Sequence, residues 1–433
     1  MRWRDSMLEY LPAHARESGV VFAGDVLSKF LTFLITILLL KLVTPAEYAL
    51  YGVFIAVLPT VNQFTDSGLS SSIVRFQALY QHHDPDRATA HLRVAWMVKW
   101  AALLPTAALL FVCAPMLAEL VFPLPGAAHA IRLVSLGVVG NGLYEFMQAV
   151  FQSRQRFGTL TAMRLSEGGG KLLFIVAFIG IGAFSLDAVY LAYVIVPTAV
   201  SAMGIVLARS MWGRVQVAWR DIAKEMFGFG KWMMLSSFAT MFLMRLDLFM
   251  IPRMLRDQPD DIGLYAAAAR LCIPLIVVTG SVATVFFPKA MALRTMDGMR
   301  QYIRKSMQIT VPLLVLSVLY AAAVTIGITL FLPKYLGARP LFLVLFIGYA
   351  WTIFGNPLTM LVLSINRAHV VTTISIVQLF CTVASHYYFI SAMGAMGAAV
   401  STVLMWFLAG AVSLWYLYTH RHAIESATER GQT

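Results

Sequence analysis

The sequence predicts an all-α integral membrane protein in which twelve transmembrane helices form two six-helix bundles related by a pseudo-two-fold axis along the membrane normal. Three observations carry that prediction. Hydrophobic residues make up 59% of the 433 and charged residues 12%, and apolar runs long enough to cross a hydrocarbon core of roughly 30 Å recur along the whole chain. Such runs suit helices and exceed barrel strands, the only two structures that satisfy their backbone in lipid. Lys and Arg crowd alternate loops, about 19 on the N-terminal side against about 4 on the other, so the positive-inside bias places both termini in the cytoplasm. The chain also repeats itself. Setting AEYALYGVFI (46–55) against DDIGLYAAAA (260–269) puts Tyr51 opposite Tyr265, and nearly the same shift brings Pro59 near Pro274, Gly137 onto Gly348 and Arg156 onto Arg367. Six helices per repeat is even, so the halves, 1–215 and 216–433, share one orientation, as in transporters built from parallel repeats around a central site.

The apolar runs place spans at about 18–43, 46–79, 88–121, 127–156, 158–182, 186–210, 222–252, 261–288, 301–333, 338–365, 368–391 and 394–419. Ahead of the first, MRWRDSMLEYLPAHARESGV is polar and basic and lacks the apolar core and cleavage site of a signal peptide. The first span carries Asp25 and Lys29 four residues apart, hence on one face and able to pair. The second holds Asp66 and Arg75, the third Lys99, the fourth Arg132 and Glu145. On the fifth, Arg164, Glu167 and Lys171 are spaced three and four, so one face presents two cations and an anion. The stretch from Phe227 to Lys289 forms a hairpin carrying Arg245, Asp247 and Arg270 around the corner Asp257-Gln258-Pro259-Asp260-Asp261. Counted from that corner at about 1.5 Å per residue, Asp247 and Arg270 reach similar depths and are placed to meet.

Charges persist in hydrocarbon where they face a bundle interior, a partner or water. Basic residues outnumber acidic ones within the spans, which predicts a cationic lumen. Lys29, Arg164, Lys171 and Arg245 are its candidate substrate-binding residues, while Asp25, Glu167, Asp247 and Arg270 either line it or pair structurally. Prolines kink helices, and Pro59, Pro105, Pro274 and Pro312, recurring at comparable places in the two halves, are candidate hinges.

Other readings weaken on inspection. Cys113, Cys272 and Cys381 lie in apolar runs, as small hydrophobes. Glu167-Gly168-Gly169-Gly170-Lys171 lacks phosphate-loop spacing and follows no strand; it reads as a close helix contact. His82-His83-Asp84 has no further spaced ligands and reads as a helix boundary, so no metal is expected. The basic loops Ala208–Lys224 and Lys289–Lys305 read as topology signals at an anionic leaflet, with a soluble partner as the other reading and nucleic acid excluded. No cofactor is expected; the coupling ion, H⁺ or Na⁺, is left open. The external connections are short and no catalytic constellation is evident, which favours a transporter over an enzyme. A membrane glycosyltransferase or polymer ligase, the alternative from another class, would rely on Asp257, Asp260 and Asp261, which helix capping explains better.

KLVTPAEYALYGVFIAV, FTDSGLSSSIVRF, MRLDLFMIP, DDIGLYAAAARL, ATVFFPKAM, LFLVLFIGYAWTIFGNPLTMLVLSINR and MGAMGAAVSTVL, in that order, resemble the Wzx-type polysaccharide flippases, which share a superfamily with drug/cation antiporters and the lipid II flippase. Leu50 stands where the family usually has Gly. The resemblance implies alternating-access movement of an undecaprenyl-diphosphate-linked oligosaccharide across the bacterial inner (plasma) membrane, for lipopolysaccharide or exopolysaccharide biosynthesis. Its partners would be the lipid-linked oligosaccharide, membrane lipids and a polysaccharide polymerase, and a monomer is expected. Physics agrees, since a diphosphate headgroup needs a polar route with charge-assisted donors while its tail remains in lipid. Tyr51, Tyr144, Tyr193, Tyr265, Tyr349 and Trp351 stack on sugars in this reading, or pack. The drug/cation antiporter, which favours an acidic cavity, and the lipid II flippase, which usually has two more helices, are the alternatives within the superfamily.

Overall fold

The computed structural model describes residues 23–66, 68–81, 83–213, 219–279, 296–364 and 368–419. His82, Arg367 and residues 289–295 of the Lys289–Lys305 loop lie outside them. The described residues are helical: α1 (Ala23–Leu42), α2 (Pro45–Asp66), α3 (Leu69–Tyr80), α4 (Pro85–Leu120), α5 (Ala127–Ser153), α6 (Phe157–Gly180), α7 (Leu186–Leu207), α8 (Trp219–Met254), α9 (Pro259–Leu271), α10 (Met296–Phe331), α11 (Ala338–Ser364) and α12 (Ala368–Thr419). Among them, seven candidate spans are long and apolar enough to cross a membrane. The protein is a multi-pass helical membrane protein.

Local chemistry sets the boundaries. Thr44 and Glu47 form a capping box at the start of α2, the Thr44 N–H donating to the Glu47 carboxylate at 2.7 Å, with Pro45 as the first helical residue. Asp84 accepts from the Arg87 N–H at 3.0 Å and so caps α4, the helix boundary expected of His82-His83-Asp84. The Ser185 hydroxyl accepts from the Ala188 N–H to cap α7. At α9, Asp260 and Asp261 occupy the first turn without a capping bond; they favour the helix through its dipole, which corrects the capping expectation.

Two spans differ in outline from the sequence reading. The second breaks into α2 and α3 at Gly68, whose φ of 74° is left-handed and suits a residue without a Cβ. In α12 the backbone leaves helical geometry at Gly394 (φ 60°, ψ −139°). There the run folds back on itself, so that Gln378 reaches the Met405 carbonyl and Ser385 meets Ser401. The spans predicted at 368–391 and 394–419 are the two arms of that hairpin.

The chain forms two compact units. The first holds the residues through Ile35, Val53–Leu120 and Pro125–Phe238; the second holds Thr36–Gly52, Val121–Leu124 and Ala239 onward. In the first, α5 is central, packing against α3, α4, α6 and α7, with Phe146, Met147, Val150 and Phe151 buried in the largest apolar cluster. In the second, α11 packs against α9, α10 and α12, and Tyr48 meets Tyr335 edge-on at 6.0 Å. The two central helices are each 27 residues long and start 211 positions apart; α4 and α10 are each 36 residues and start 211 apart as well.

Pro59, Pro105 and Pro312 lie inside α2, α4 and α10. Pro274 follows a one-residue interruption at Cys272 that ends α9, in the short helical segment 273–279.

Candidate functional site

Polar side chains gather at one place in each unit. In the first unit α6 supplies the anchor. Three small residues let α6 approach its neighbours: a Cβ on Gly168 would lie 3.5 Å from Leu31 of α1, and one on Gly170 would press on Val196 of α7 at 2.8 Å. Gly24 of α1 faces Thr161 in the same way. That closeness is the helix contact expected of the glycine triplet, and it sets Arg164 against Asp25. The Arg164 guanidinium donates to the Asp25 carboxylate and, at 2.8 Å, to the Gln148 amide oxygen. Two turns on, Lys171 donates back to Glu167, and its ammonium stands 3.9 Å over the Tyr193 ring. Tyr193 is fixed in turn, its carbonyl accepting from the Asn141 amide at 2.8 Å.

Two expectations change here. The spacing of Asp25 and Lys29 suggested a mutual pair, but Arg164 takes Asp25, because a guanidinium on a closely packed neighbour offers a better donor than a lysine on the same face. Lys29 is exposed and makes no ion pair among the described residues. Of the four candidate cations, Arg164 and Lys171 are thus already neutralised. Nearby, Lys99 of α4 is completely buried with no hydrogen-bond partner; Asp66 and Glu145 are the acids within electrostatic reach of it.

In the second unit the anchor is Asp247 on α8. Its carboxylate accepts from the Leu248 N–H at 2.8 Å and the Tyr265 hydroxyl at 2.6 Å. The Asp247–Arg270 pair drawn from the hairpin's depth is therefore replaced: a buried tyrosine of α9 supplies the side-chain donor, and no ion pair joins Asp247 to Arg270 among the described residues. A neutral phenol spares the site a second desolvated charge. Tyr265 is 1% exposed, a structural donor and not a sugar platform. Arg245 lies within electrostatic reach of Asp247, Arg270 and Tyr349.

Asp247 faces a cavity of about 30 Å³ lined also by Tyr349, Gln378, Thr382, His386, Thr402, Met405 and Trp406, room for a water molecule. His386 Nδ1 lies 3.0 Å from the Thr382 carbonyl and 2.8 Å from the Ser401 hydroxyl. Its Nε2 is buried and unpartnered among the described residues. Sequence reasoning missed Gln148, Gln378, Thr382, His386, Ser401 and Thr402. The signal for three of them was present, since Gln378, Thr382 and His386 recur every four residues and share a helix face.

The comparisons with known proteins agree with this architecture. The family model described as "Polysaccharide biosynthesis protein" matches residues 38–332. A putative O-antigen transporter of Shigella flexneri is 24% identical over 45% of this chain and 47% of its own length. The succinoglycan biosynthesis transport protein ExoT of Rhizobium meliloti (strain 1021) is 29% identical over 76% of this chain and 63% of its own length. The chain thus matches about half of the first relative and less than two thirds of the second. Among solved structures, an inward-facing multidrug resistance MATE family transporter of the MOP superfamily superposes with a TM-score of 0.73 at 15% identity, covering 94% of this chain and 96% of that one. The lipid II flippase MurJ, in an inward closed conformation, gives 0.71 at 12% identity over 94% and 90%. At these identities the likeness establishes a shared fold.

Proposed function

Because the chain belongs to the polysaccharide biosynthesis protein family, as a transporter within the MOP superfamily, we propose that it is a flippase carrying a polyprenyl-diphosphate-linked oligosaccharide repeat unit across the bacterial plasma membrane by alternating access. The observation that carries this reading is the arrangement of charge along α1 and α6, where Arg164 and Lys171 are each held by one carboxylate and one neutral partner while Lys29 has no ion pair among the described residues. A diphosphate carries enough negative charge to exchange places with the Asp25 and Glu167 carboxylates as it enters. The basic groups are therefore kept charged and soluble in the bilayer until a stronger anion arrives, and Lys29 makes the first contact.

The reading includes twelve spans with both termini cytoplasmic, and two bundles, 1–215 and 216–433, related by a pseudo-two-fold along the membrane normal. The matching lengths and constant 211-residue offset of α4/α10 and α5/α11 support it. The bundles rock about a central lumen, bending near Pro59, Pro105, Pro274 and Pro312. The cavity at Asp247 takes the coupling ion, H⁺ or Na⁺, and a monomer that hands its product to a polysaccharide polymerase completes the scheme. A drug/cation antiporter shares the fold, but an exposed lysine beside paired arginine and lysine does not suit a cationic cargo.

The test is flipping of a fluorescent polyprenyl-diphosphate oligosaccharide in vesicles holding the purified protein. Neutralising Lys29, Arg164, Lys171 and Arg245 together should reduce the rate at least about tenfold, the kinetic equivalent of roughly 1.4 kcal/mol. Unchanged flipping by the quadruple variant, or faster uptake of cationic dyes than of lipid-linked sugar, would overturn the reading.

A further inference from the structure

At one end of the first unit α5 stops and α6 begins after only three residues, Arg154, Gln155 and Arg156. The turn is a Schellman closure. The Arg156 N–H donates to the Phe151 carbonyl at 2.9 Å and the Gln155 N–H to that of Gln152 at 3.0 Å, with Gln155 left-handed at φ 54°. Glycine is the usual occupant of that position, so a side chain is accepted here against local preference. The turn brings Arg154 and Arg156 to a hollow of about 490 Å³ that Gln81, Thr89, Met211 and Gly213 complete, and its lining is mostly polar. Four separate parts of the chain meet there: the end of α3, the first turns of α4, the α5–α6 turn and the segment after α7.

Among the described residues, the lining of the hollow holds two cations and no anion. Arg154 Nε is shut off from solvent and makes no hydrogen bond. Burial and the like charge of Arg156 both lower the affinity of Arg154 for its proton. Of the acids near this end, Glu225 accepts from Arg87 at 2.9 Å and from Tyr80 at 2.8 Å, Asp84 caps α4, and Asp86 and Asp221 are exposed and do not line the hollow. A desolvated donor beside a second guanidinium is unfavourable as it stands, and an anion relieves both terms at once. Guanidinium forks match tetrahedral oxyanions in geometry as well as charge. The first turn of α6 opens beside them without a side-chain cap, adding its dipole.

We propose that this hollow is a binding site for a phosphate-class anion, presented by the headgroup of an anionic lipid or by free phosphate or diphosphate. Arg154 and Arg156 are the ligands, and Gln81 and Thr89 add neutral donors. The site is separate from the charges along α1 and α6 and does not depend on the flippase reading.

The test titrates the purified full-length chain with inorganic pyrophosphate in detergent. In a second arm, the chain is placed in phosphatidylcholine bilayers with and without phosphatidylglycerol, and thermal unfolding is followed. The wild type should be stabilised in at least one arm. Arg154→Gln/Arg156→Gln should weaken pyrophosphate binding at least about tenfold or abolish the phosphatidylglycerol effect. Stabilisation by pyrophosphate alone assigns free phosphate, and by phosphatidylglycerol alone the lipid headgroup. Two controls guard the result. Gln155→Gly keeps the turn and should retain binding, while Arg220→Gln removes one charge outside the hollow and should leave binding unchanged. Equal losses from Arg220→Gln and the double variant would overturn the proposal, as would a wild type that responds in neither arm.

Discussion

Two ion pairs on one face of α6 differ in how much they should matter to the folded protein. The Lys171 and Glu167 side chains are 9% and 14% exposed, whereas Arg164 and Asp25 are 23% and 47% exposed. Removing one member of a buried pair strands the other charge at about 3–5 kcal/mol, while exposed pairs contribute about 0–1 kcal/mol. Glu167→Gln should therefore lower the yield of monodisperse protein on size exclusion far more than Asp25→Asn, and Glu167→Gln/Lys171→Met should recover part of it. Lys29→Gln should leave yield unchanged and slow flipping. Tyr265→Phe should cost about 1–3 kcal/mol by leaving the Asp247 carboxylate short of a donor, seen as a lower unfolding temperature, whereas Arg270→Gln should spare stability. At this scale the sequence was only half legible. The Glu167–Lys171 contact follows from spacing along one helix. Asp25 with Arg164 and Asp247 with Tyr265 depend on which helices touch, and spacing carries no such information. His386 shares a helix face with Gln378 and Thr382, but that it meets Ser401 depends on the fold-back at Gly394, which spacing does not show.

Helices were the most legible level, because an apolar run of about 20 residues in a chain this hydrophobic has few other fates. What escaped was where they bend. Ser67-Gly68 sits in a stretch that remains helical in character on both sides, so periodicity runs through the break. Gly68 is left-handed, and a Cβ there would collide with the carbonyl of Gly230. Gly68→Ala should thus be destabilising through both conformation and contact, by roughly 1–3 kcal/mol. Gly228→Ala, where a Cβ would meet nothing within 4 Å, should be neutral or slightly stabilising. Comparing the unfolding temperatures of the two variants checks the assignment. The glycine triplet of α6 makes the same point for packing. Gly170→Val should separate α6 from α7, and Gly182→Ala, in open space but left-handed, should act only on the turn.

For the whole molecule, the internal repeat was read from a few aligned residues, and α4 with α10 and α5 with α11 have the equal lengths that such a repeat predicts. Helices that filled the same place in two similar bundles would have to reach equally far. If the bundles rock against one another, cysteine pairs joining their facing ends should arrest transport when oxidised and release it on reduction. Transport that continues through crosslinks at both ends would exclude rocking. The two compact units meet within α8, whose start belongs with the first unit while the chain between Ala239 and Met254 belongs with the second. Composition and charge carry no signal for such a division, because a helix that changes allegiance midway stays equally apolar throughout.

The fold-back at Gly394 bears on how the protein is made. Its two arms turn on a single non-helical residue, and a Cβ on Gly397 would strike the Phe389 carbonyl, so there is no slack for one arm to enter the bilayer well ahead of the other. The first arm also carries Gln378, Ser385 and His386, whose partners Met405 and Ser401 stand on the second. Alone in lipid, that arm would expose polar groups with nothing to satisfy them. The two arms are therefore expected to enter the membrane together, as one hairpin.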